Sequence, residues 1–225
     1  SRVTAAAGRE AVLAVDLGTT EAKAGVIALD GRLLGAARAR YPLVLDEAAG
    51  TAEQDADAWW AAFVSSSRVA LAEAAEKLGS PEPEIVAIAF DGHGPSLVAA
   101  DANGRPVAPS ITWLDRRSLA QQARLESATG LYGWALGVLP AGLWLEEHRP
   151  FVAAEARWYL NSWEYLGLRL SGRAALTLTP GQPVAAAAGM TAAGLPAHKV
   201  PPPIAVGAIL DGLLPGPAAE LGLRP

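Results

Sequence analysis

Hydrophobic positions near the start of the chain form short runs separated by turn signals. Residues Ala11 to Asp16 make a brief apolar run that ends in an acid and is followed by glycine, which predicts a buried strand. A second run, Ala24 to Leu29, leads into the hairpin signal Asp30-Gly31, and Leu33 to Tyr41 alternates loosely. This pattern predicts a three-stranded antiparallel meander.

The middle of the chain adds helices to these strands. Apolar positions at spacings of three and four predict a helix over 55–78, stopped by Gly79-Ser80-Pro81. The run Ile85 to Phe90 predicts another buried strand, and the pattern over 96–107 predicts a second hairpin. Further helical patterns occur at about 116–128, 141–148 and 162–170. Elements in this order predict an α/β fold with mixed strand directions, flanked by helices.

The periodicity is lost after Gly172. Three stretches rich in proline, glycine or alanine predict loops: 177–183, the alanine run to 188, and 200–203. One last strand is predicted over Ile204 to Leu210, and a short closing helix over Pro215 to Leu221. No internal repeat is visible, and we expect no second hydrophobic core.

Composition and charge narrow the class of protein. The chain has 225 residues, of which 51% are hydrophobic and 18% charged, so it is globular and not disordered. Its net charge of −5 removes the attraction that a nucleic-acid or anionic-membrane binder needs, so neither partner is expected. The absence of cysteine excludes disulfides and a cysteine nucleophile, and it fits a cytoplasmic location.

Nothing in the sequence predicts a membrane span or an export signal. The longest apolar stretch, Leu131 to Leu145, is interrupted by Pro140 and is shorter than the roughly 20 residues that cross a bilayer. The first ten residues lack the apolar segment of a signal peptide.

The first candidate site lies where the first predicted strand ends. Asp16 is followed by Gly18, Thr19 and Thr20, and Lys23 comes three residues later. A turn with glycine and two hydroxyl residues can present N–H and O–H groups to phosphate oxygens, and a carboxylate at a strand end can bind Mg²⁺. The alternative is an ordinary hairpin whose aspartate caps a turn.

The second candidate is His93, between two glycines after the strand 85–90. Ligands of open α/β sheets bind at the carboxyl edge of the strands, where a histidine can hydrogen-bond a sugar hydroxyl. A lone histidine in a turn is more often structural or solvated. The three histidines do not have the spacing of a zinc site.

The third candidate is the segment Ile111 to Arg117. Trp113 could pack on the apolar face of a sugar while Asp115 accepts hydrogen bonds from its hydroxyls. The alternative is that Asp115 caps the next helix and that the two arginines after it are solvated.

Taken in order, these segments resemble the N-terminal domain of the FGGY family of carbohydrate kinases, with xylulokinase-like members the most similar. The resemblance covers residues 10–225. It rests on the ending 206–222 and on four segments: Asp16 to Thr20, Glu53 to Trp60, Gly92-His93-Gly94, and Ile111 to Arg117.

The resemblance implies an actin-like, ribonuclease-H-like fold and ATP-dependent phosphorylation of a sugar or polyol hydroxyl, in a cleft between two domains. Residues 10–225 would be the sugar-binding domain, and the nucleotide-binding C-terminal domain is absent from this chain. Related kinases are often dimers, so a homodimer is also implied. Four residues would approach the ATP phosphates and Mg²⁺, with Asp16 as the metal ligand: Asp16, Thr19, Thr20 and Lys23. Three would line the acceptor site: His93, Trp113 and Asp115.

The sequence departs from the family pattern in two places. The resemblance implies a catalytic aspartate after the helix 162–170, yet no Asp or Glu occurs from Ala174 to Leu210. The lysine that precedes Leu-x-Trp in the family is missing from the segment Pro140 to Trp144. The catalytic base is therefore not assigned, and this chain alone is expected to be inactive. A catalytically decayed sugar-binding or regulatory domain, or an actin-like interaction module, are the alternatives.

Overall fold

A computed structural model describes residues 9–79, 83–179 and 181–225. The chain divides into two compact units. Unit 1 consists of the residues up to 42, residues 57–92 and residues 213–225, and unit 2 consists of residues 43–56 and 93–212. The expectation of no second core is wrong, because the apolar residues after position 93 pack with one another in a core of their own. Hydrophobic spacing alone does not show which runs pack together.

Eleven strands are assigned over the described ranges. In chain order they are β1 (Glu10–Leu17), β2 (Glu21–Ala28), β3 (Leu33–Arg40), β4 (Val44–Asp46), β5 (Thr51–Gln54), β6 (Glu84–Gly92), β7 (Val98–Ala100), β8 (Ser110–Ile111), β9 (Trp158–Leu160), β10 (Leu176–Leu178) and β11 (Pro203–Ala205). The α-helices of the same ranges are α1 (Ala56–Leu78), α2 (Leu119–Thr129), α3 (Leu139–His148), α4 (Pro150–Glu155), α5 (Ser162–Ser171), α6 (Ala187–Ala193) and α7 (Pro215–Leu221). None of these helices is long and apolar enough to span a membrane.

Unit 1 is built on a four-stranded sheet of order β3-β2-β1-β6. The first three strands form the predicted antiparallel meander, and β6 runs parallel to β1. Alternate residues of β1 are fully buried, from Ala11 to Leu17. The predicted mixed sheet is therefore confirmed.

Helix α1 follows the prediction closely and packs against β3. A β-carbon added to Gly35 would lie 2.2 Å from the carbonyl oxygen of Ala70, so only glycine allows this approach. The helix ends at Leu78, and Gly79 has φ +70°, the left-handed conformation of a C-terminal cap. The other two residues of the predicted stop, Ser80 and Pro81, lie outside the described residues.

Helix α7 closes unit 1 and has the predicted bounds. The indole Nε1 of Trp60 donates a 2.8 Å hydrogen bond to Glu220 Oε2, which joins α7 to α1. The last residues of the chain thereby complete a core that begins with its first strands.

Strand β6 was predicted as buried, and that part of the prediction is wrong. All nine of its residues are partly or fully exposed, and the side chain of Val86 is about half exposed. The reason is its position, since among the described residues β6 is an edge strand of the sheet whose one neighbour is β1. Its continuous apolar sequence is typical of a strand buried on both faces.

Unit 2 contains three small sheets and five α-helices among the described residues. The sheets have the orders β4-β5-β8, β7-β9 and β10-β11, and the helices are α2 to α6. Its core gathers buried apolar side chains from β7, β8, α2, α3, β9 and α6, including Leu97, Ile111, Leu125, Leu143, Tyr159 and Met190.

The predictions for unit 2 are confirmed in part. The helices predicted near 116–128, 141–148 and 162–170 are present as α2, α3 and α5. The predicted hairpin over 96–107 forms, with a turn at 101–105 and an antiparallel bridge between Ala100 and Pro106. Its first strand, β7, also pairs with β9, 60 residues later. The predicted last strand is only three residues long, as β11.

The alanine run was predicted as a loop, yet its end forms helix α6. Alanine is the strongest helix former, and the helix gains close packing against α2. A β-carbon on Gly189 would lie 2.8 Å from the carbonyl oxygen of Ala128, so the two helices meet at backbone contact. Tertiary packing stabilises a segment whose sequence lacks amphipathic spacing.

Candidate functional site

Three charged side chains stand in a row at one end of the unit 1 sheet. Asp16 of β1 pairs with Lys23 of β2 on one side and with Asp91 of β6 on the other. Cross-strand partners point to the same face, and neighbouring strands lie about 4.8 Å apart. Lys23 Nζ contacts Asp16 Oδ2 at 3.2 Å, and Asp91 Oδ1 accepts a 2.8 Å bond from the N–H of Gly92. All three side chains are exposed to solvent.

The turn beside this row is held by backbone contacts and by one tyrosine. Gly18 N donates to Glu21 O at 3.0 Å, which leaves Thr19 and Thr20 at the tip of the hairpin. The buried side chain of Tyr41 donates its hydroxyl proton to Gly18 O. Burial raises the pKa of Tyr41, with the nearby carboxylates of Asp16 and Glu21 acting in the same direction. The tyrosine therefore remains a protonated donor at all physiological pH values.

The chemistry of this end of the sheet suits a nucleotide phosphate. Lys23 offers a cation, the two threonines offer hydroxyl groups, and Asp16 and Asp91 offer carboxylate oxygens. Mg²⁺ in phosphate sites typically takes one or two carboxylates and completes its shell with phosphate oxygens and water. The exposed pair Asp16 and Asp91 fits that requirement.

In unit 2, the turn that carries His93 is braced by the first turn of α5. Ser162 Oγ donates a 2.7 Å hydrogen bond to the carbonyl oxygen of His93. The ring of Trp163 lies over Gly94, where an added β-carbon would approach its atoms to 2.6 Å. Glycine at position 94 is thus required by packing.

Trp113 projects from a second braced turn of unit 2. Its backbone N–H donates to Ser96 Oγ at 3.3 Å, and two hydrogen bonds between Leu97 and Ile111 align the flanking segments. The indole is 45% exposed. Because Ser96 follows His93 by three residues, the pairing brings the backbone segments of His93 and Trp113 to the same end of unit 2.

Asp115 points away from solvent and into an ion pair. Its side chain is 1% exposed and is held by Arg117, whose Nε and Nη2 atoms donate at 3.0 and 2.7 Å. The N–H of Ala52 also donates to Asp115 Oδ2 at 2.9 Å, and Arg117 Nη2 reaches Glu53 Oε1 at 2.6 Å. A sugar hydroxyl could bind this carboxylate only by displacing these donors. The geometry is that of a brace for the Trp113 turn.

The segment in which the resemblance implied a catalytic aspartate contains Thr177 beside a buried acid. Glu164 of α5 is 3% exposed, and its Oε1 accepts bonds from Thr177 N at 2.8 Å and Thr177 Oγ1 at 3.1 Å. Its Oε2 accepts from Asn161 N at 2.8 Å. Burial raises the pKa of Glu164 above its ordinary value, while these hydrogen bonds oppose the shift.

The structure places the seven sequence-predicted site residues in two groups, one in each unit. In unit 1 it brings together Asp16, Thr19, Thr20 and Lys23. In unit 2, His93 and Trp113 lie on neighbouring turns, whereas the carboxylate of Asp115 is enclosed by other side chains.

Sequence reasoning missed several residues that shape these groups. Asp91 precedes His93 by two residues, and its position at the end of a strand parallel to β1 was a signal for pairing with Asp16. Tyr41 and Trp163 gave no local signal, because their partners are distant in the sequence. Arg117 was considered only as a solvated residue, whereas its side chain is largely buried and binds Asp115, two residues earlier, together with the distant Glu53.

Comparison with known proteins identifies the fold and the family. The chain has the actin-like ATPase fold: a xylulose kinase from Rhodospirillum rubrum superimposes with a TM-score of 0.78 over 95% of this chain and 47% of that one, at 26% identity. The sequence profile of the FGGY family of carbohydrate kinases, N-terminal domain, matches residues 11–191. The chain therefore belongs to the FGGY family of carbohydrate kinases.

Curated relatives include kinases for several acceptors. A xylulose kinase from Streptomyces coelicolor is 32% identical over 173 residues, which are 72% of this chain and 34% of the relative. A glycerol kinase from a Janthinobacterium species is 32% identical over 155 residues, or 64% of this chain and 30% of the relative. The chain thus spans about a third of the length of the relatives that it matches.

Proposed function

We propose that this chain is the sugar-binding part of a kinase that transfers the γ-phosphate of ATP to a hydroxyl of a ketose such as xylulose, or of a related polyol. The observation that supports it most directly is the row of Lys23, Asp16 and Asp91 at the end of the sheet. It combines a cation with two carboxylates beside a hydroxyl-bearing turn. Family membership and the named xylulose kinases favour the same activity.

In this proposal the unit 1 group handles the phosphates. Lys23 neutralises phosphate charge, and the hydroxyls of Thr19 and Thr20 donate hydrogen bonds to phosphate oxygens. Asp16, with Asp91 beside it, holds Mg²⁺, which neutralises charge on the phosphates when bound. Phosphoryl transfer depends mainly on positioning and charge neutralisation, so a rigid strand end suits these roles.

The unit 2 group handles the acceptor. The half-exposed indole of Trp113 offers an apolar platform for a sugar face, and the imidazole of His93 offers hydrogen bonds to hydroxyls. Asp115 supports this group indirectly, by fixing the turn on which Trp113 stands. Its predicted direct contact with the sugar is the weaker interpretation, since its oxygens already accept hydrogen bonds from four donor groups.

The alternative of a catalytically decayed domain rests on the acid-free segment between Ala174 and Leu210. The environment of Thr177 weakens that argument. An aspartate at this position would place a second carboxylate about 3 Å from buried Glu164, and two such groups cannot both ionise. Thr177 therefore fits its site as a structural residue, and no catalytic base is assigned to this chain.

The proposal includes the domain organisation, the location and the assembly of the protein. We take residues 10–225 to be the N-terminal domain of a longer kinase, in which a C-terminal domain binds the adenine nucleotide. The proposed location is the cytoplasm. The proposed assembly is a homodimer, as in related kinases.

The decisive experiment measures ADP release by the full-length protein with a panel of ketoses, aldoses and polyols. We expect turnover with one sugar class and a loss of at least a hundredfold in kcat for Asp16→Asn. Turnover in the unmodified protein would contradict the decayed-domain alternative. No ADP release with any pentulose, hexulose or polyol would contradict the kinase.

A binding experiment tests the acceptor group on the 225-residue chain itself. Calorimetric titration with the same sugars should show binding that His93→Ala and Trp113→Ala both weaken. Exposed residues of the same types give matched controls, namely His198→Ala and Trp134→Ala. Equal losses in the site variants and the controls would contradict the assignment.

A further inference from the structure

The His93 turn depends on one turn of helix for its position. Ser162 and Trp163, adjacent in α5, contact His93 and Gly94 respectively. One contact is a hydrogen bond to a backbone carbonyl, and the other is a ring packed on a glycine. Any rotation of the Trp163 side chain would alter the space in which Gly94 lies, and with it the direction of the His93 side chain.

The orientation of Trp163 is itself set by a relay of hydrogen bonds. The indole Nε1 of Trp163 donates to Thr177 Oγ1. The Thr177 hydroxyl uses its single proton to donate to Glu164 Oε1 at 3.1 Å, which leaves its lone pairs to accept from the indole. The acceptor Glu164 is almost fully buried and is fixed by Asn161 N and Thr177 N.

We propose that Trp163 is a positioning residue for the sugar-binding His93. The Thr177 hydroxyl and the buried Glu164 carboxylate fix the orientation of the Trp163 ring. This inference deepens the proposed function and rests on it, since the acceptor role of His93 is part of that proposal. The substrate class is the same ketose or polyol. Trp163 acts through Gly94 and need not touch the sugar.

The test compares two substitutions at one position. Thr177→Val removes the hydroxyl and keeps the shape, whereas Thr177→Ser keeps the hydroxyl. Loss of one hydrogen bond in the relay should weaken xylulose binding by the 225-residue chain about two- to tenfold in Thr177→Val, measured by calorimetry. Thr177→Ser should bind as the unmodified chain does, and Trp163→Phe, which keeps an aromatic ring but lacks the N–H and part of the indole that packs on Gly94, should lose at least as much affinity as Thr177→Val.

A second readout separates positioning from general stability. The proton NMR signal of the His93 imidazole, assigned by its absence in His93→Ala, should shift in Thr177→Val and Trp163→Phe but not in Thr177→Ser. A purely structural role would lower the thermal midpoint and leave this signal in place. Identical xylulose affinity and identical His93 signals in the valine and serine variants would overturn the inference.

The two proposals fail differently. If the unmodified chain binds no sugar from the panel, the acceptor role of this domain is refuted, and the His93 signal alone decides the relay. If sugar binds and Thr177→Val leaves both the affinity and the signal unchanged, the relay is refuted while the proposed function stands.

Discussion

The enclosed ion pair of Asp115 gives a sharp quantitative prediction. Asp115→Ala removes the acceptor of four donor groups and leaves the guanidinium of Arg117, 14% exposed, with Glu53 as its remaining ionic partner. Removing one partner of a buried pair costs about 3–5 kcal/mol. Because Glu53 stays in place at 2.6 Å, we expect a loss near the lower end, about 3 kcal/mol.

Thermal unfolding followed by circular dichroism measures this loss. A destabilisation of that size should lower the unfolding midpoint of the chain by about 6–12 °C. The matched control is Asp30→Ala, whose pair with Arg32 is exposed on both sides and should leave the midpoint within about 1 °C. The double variant Asp115→Ala with Arg117→Met should cost less than the sum of the single changes, because it also removes the guanidinium that lost its buried partner.

The result also decides what Asp115 does. If the carboxylate bound sugar directly, the alanine variant would lose sugar affinity at an unchanged midpoint. An unchanged midpoint would refute the reasoning from the buried pair, whatever happens to binding. A lowered midpoint would establish the brace, and the loss of sugar affinity below the unfolding temperature should then be no larger than that of Trp113→Ala.

Three further predictions concern other parts of the chain. Gly35→Ala should destabilise unit 1 by about 1–3 kcal/mol in urea unfolding, because the added β-carbon would collide with the backbone of Ala70. Gly25→Ala on the neighbouring strand should be tolerated, because the nearest atom to its added β-carbon lies at 3.5 Å. Burial raises the pKa of Glu164 above 4.5, so its contribution to stability is present below that pH and is lost as the pH rises through the folded pKa. In urea titrations at several pH values, the free energy of unfolding of the unmodified chain should therefore fall relative to that of Glu164→Gln as the pH increases. Tyr41→Phe removes the donor that holds the phosphate-side turn and should cost about 1 kcal/mol in the same assay, and no loss would show that the backbone alone fixes the turn.

Local patterns in the sequence predicted the parts of the fold that local interactions determine. The meander of β1 to β3 follows from short apolar runs and a hairpin signal, and α1 follows from its spacing over more than six turns. The small sheets of unit 2 could not be predicted in the same way. Their strands have two to four residues, and β5 finds its partner β8 more than 50 residues away. Such short strands carry too little periodicity to be distinguished from loops.

The same distinction holds for the candidate site. Asp16 could be chosen as a candidate from the sequence, because a carboxylate at the C-terminal end of a buried strand lies at the edge of the sheet where ligands bind. The burial of the Asp115 carboxylate could not be predicted, because it depends on Glu53 and Ala52, which are distant in the sequence and come close only in the folded structure. Trp113 and Asp115 are two residues apart, yet one side chain is half exposed and the other enclosed.

The interleaving of the two units constrains the order in which the chain can fold during synthesis. Unit 1 needs residues 213–225, whose Glu220 holds Trp60, whereas unit 2 ends at residue 212. On the ribosome, every residue of unit 2 is therefore made before the last helix of unit 1 emerges. The strands of unit 1 must therefore wait for α7, and the apolar side chains of α1 that α7 covers stay exposed during that interval, which is a state prone to misfolding and aggregation.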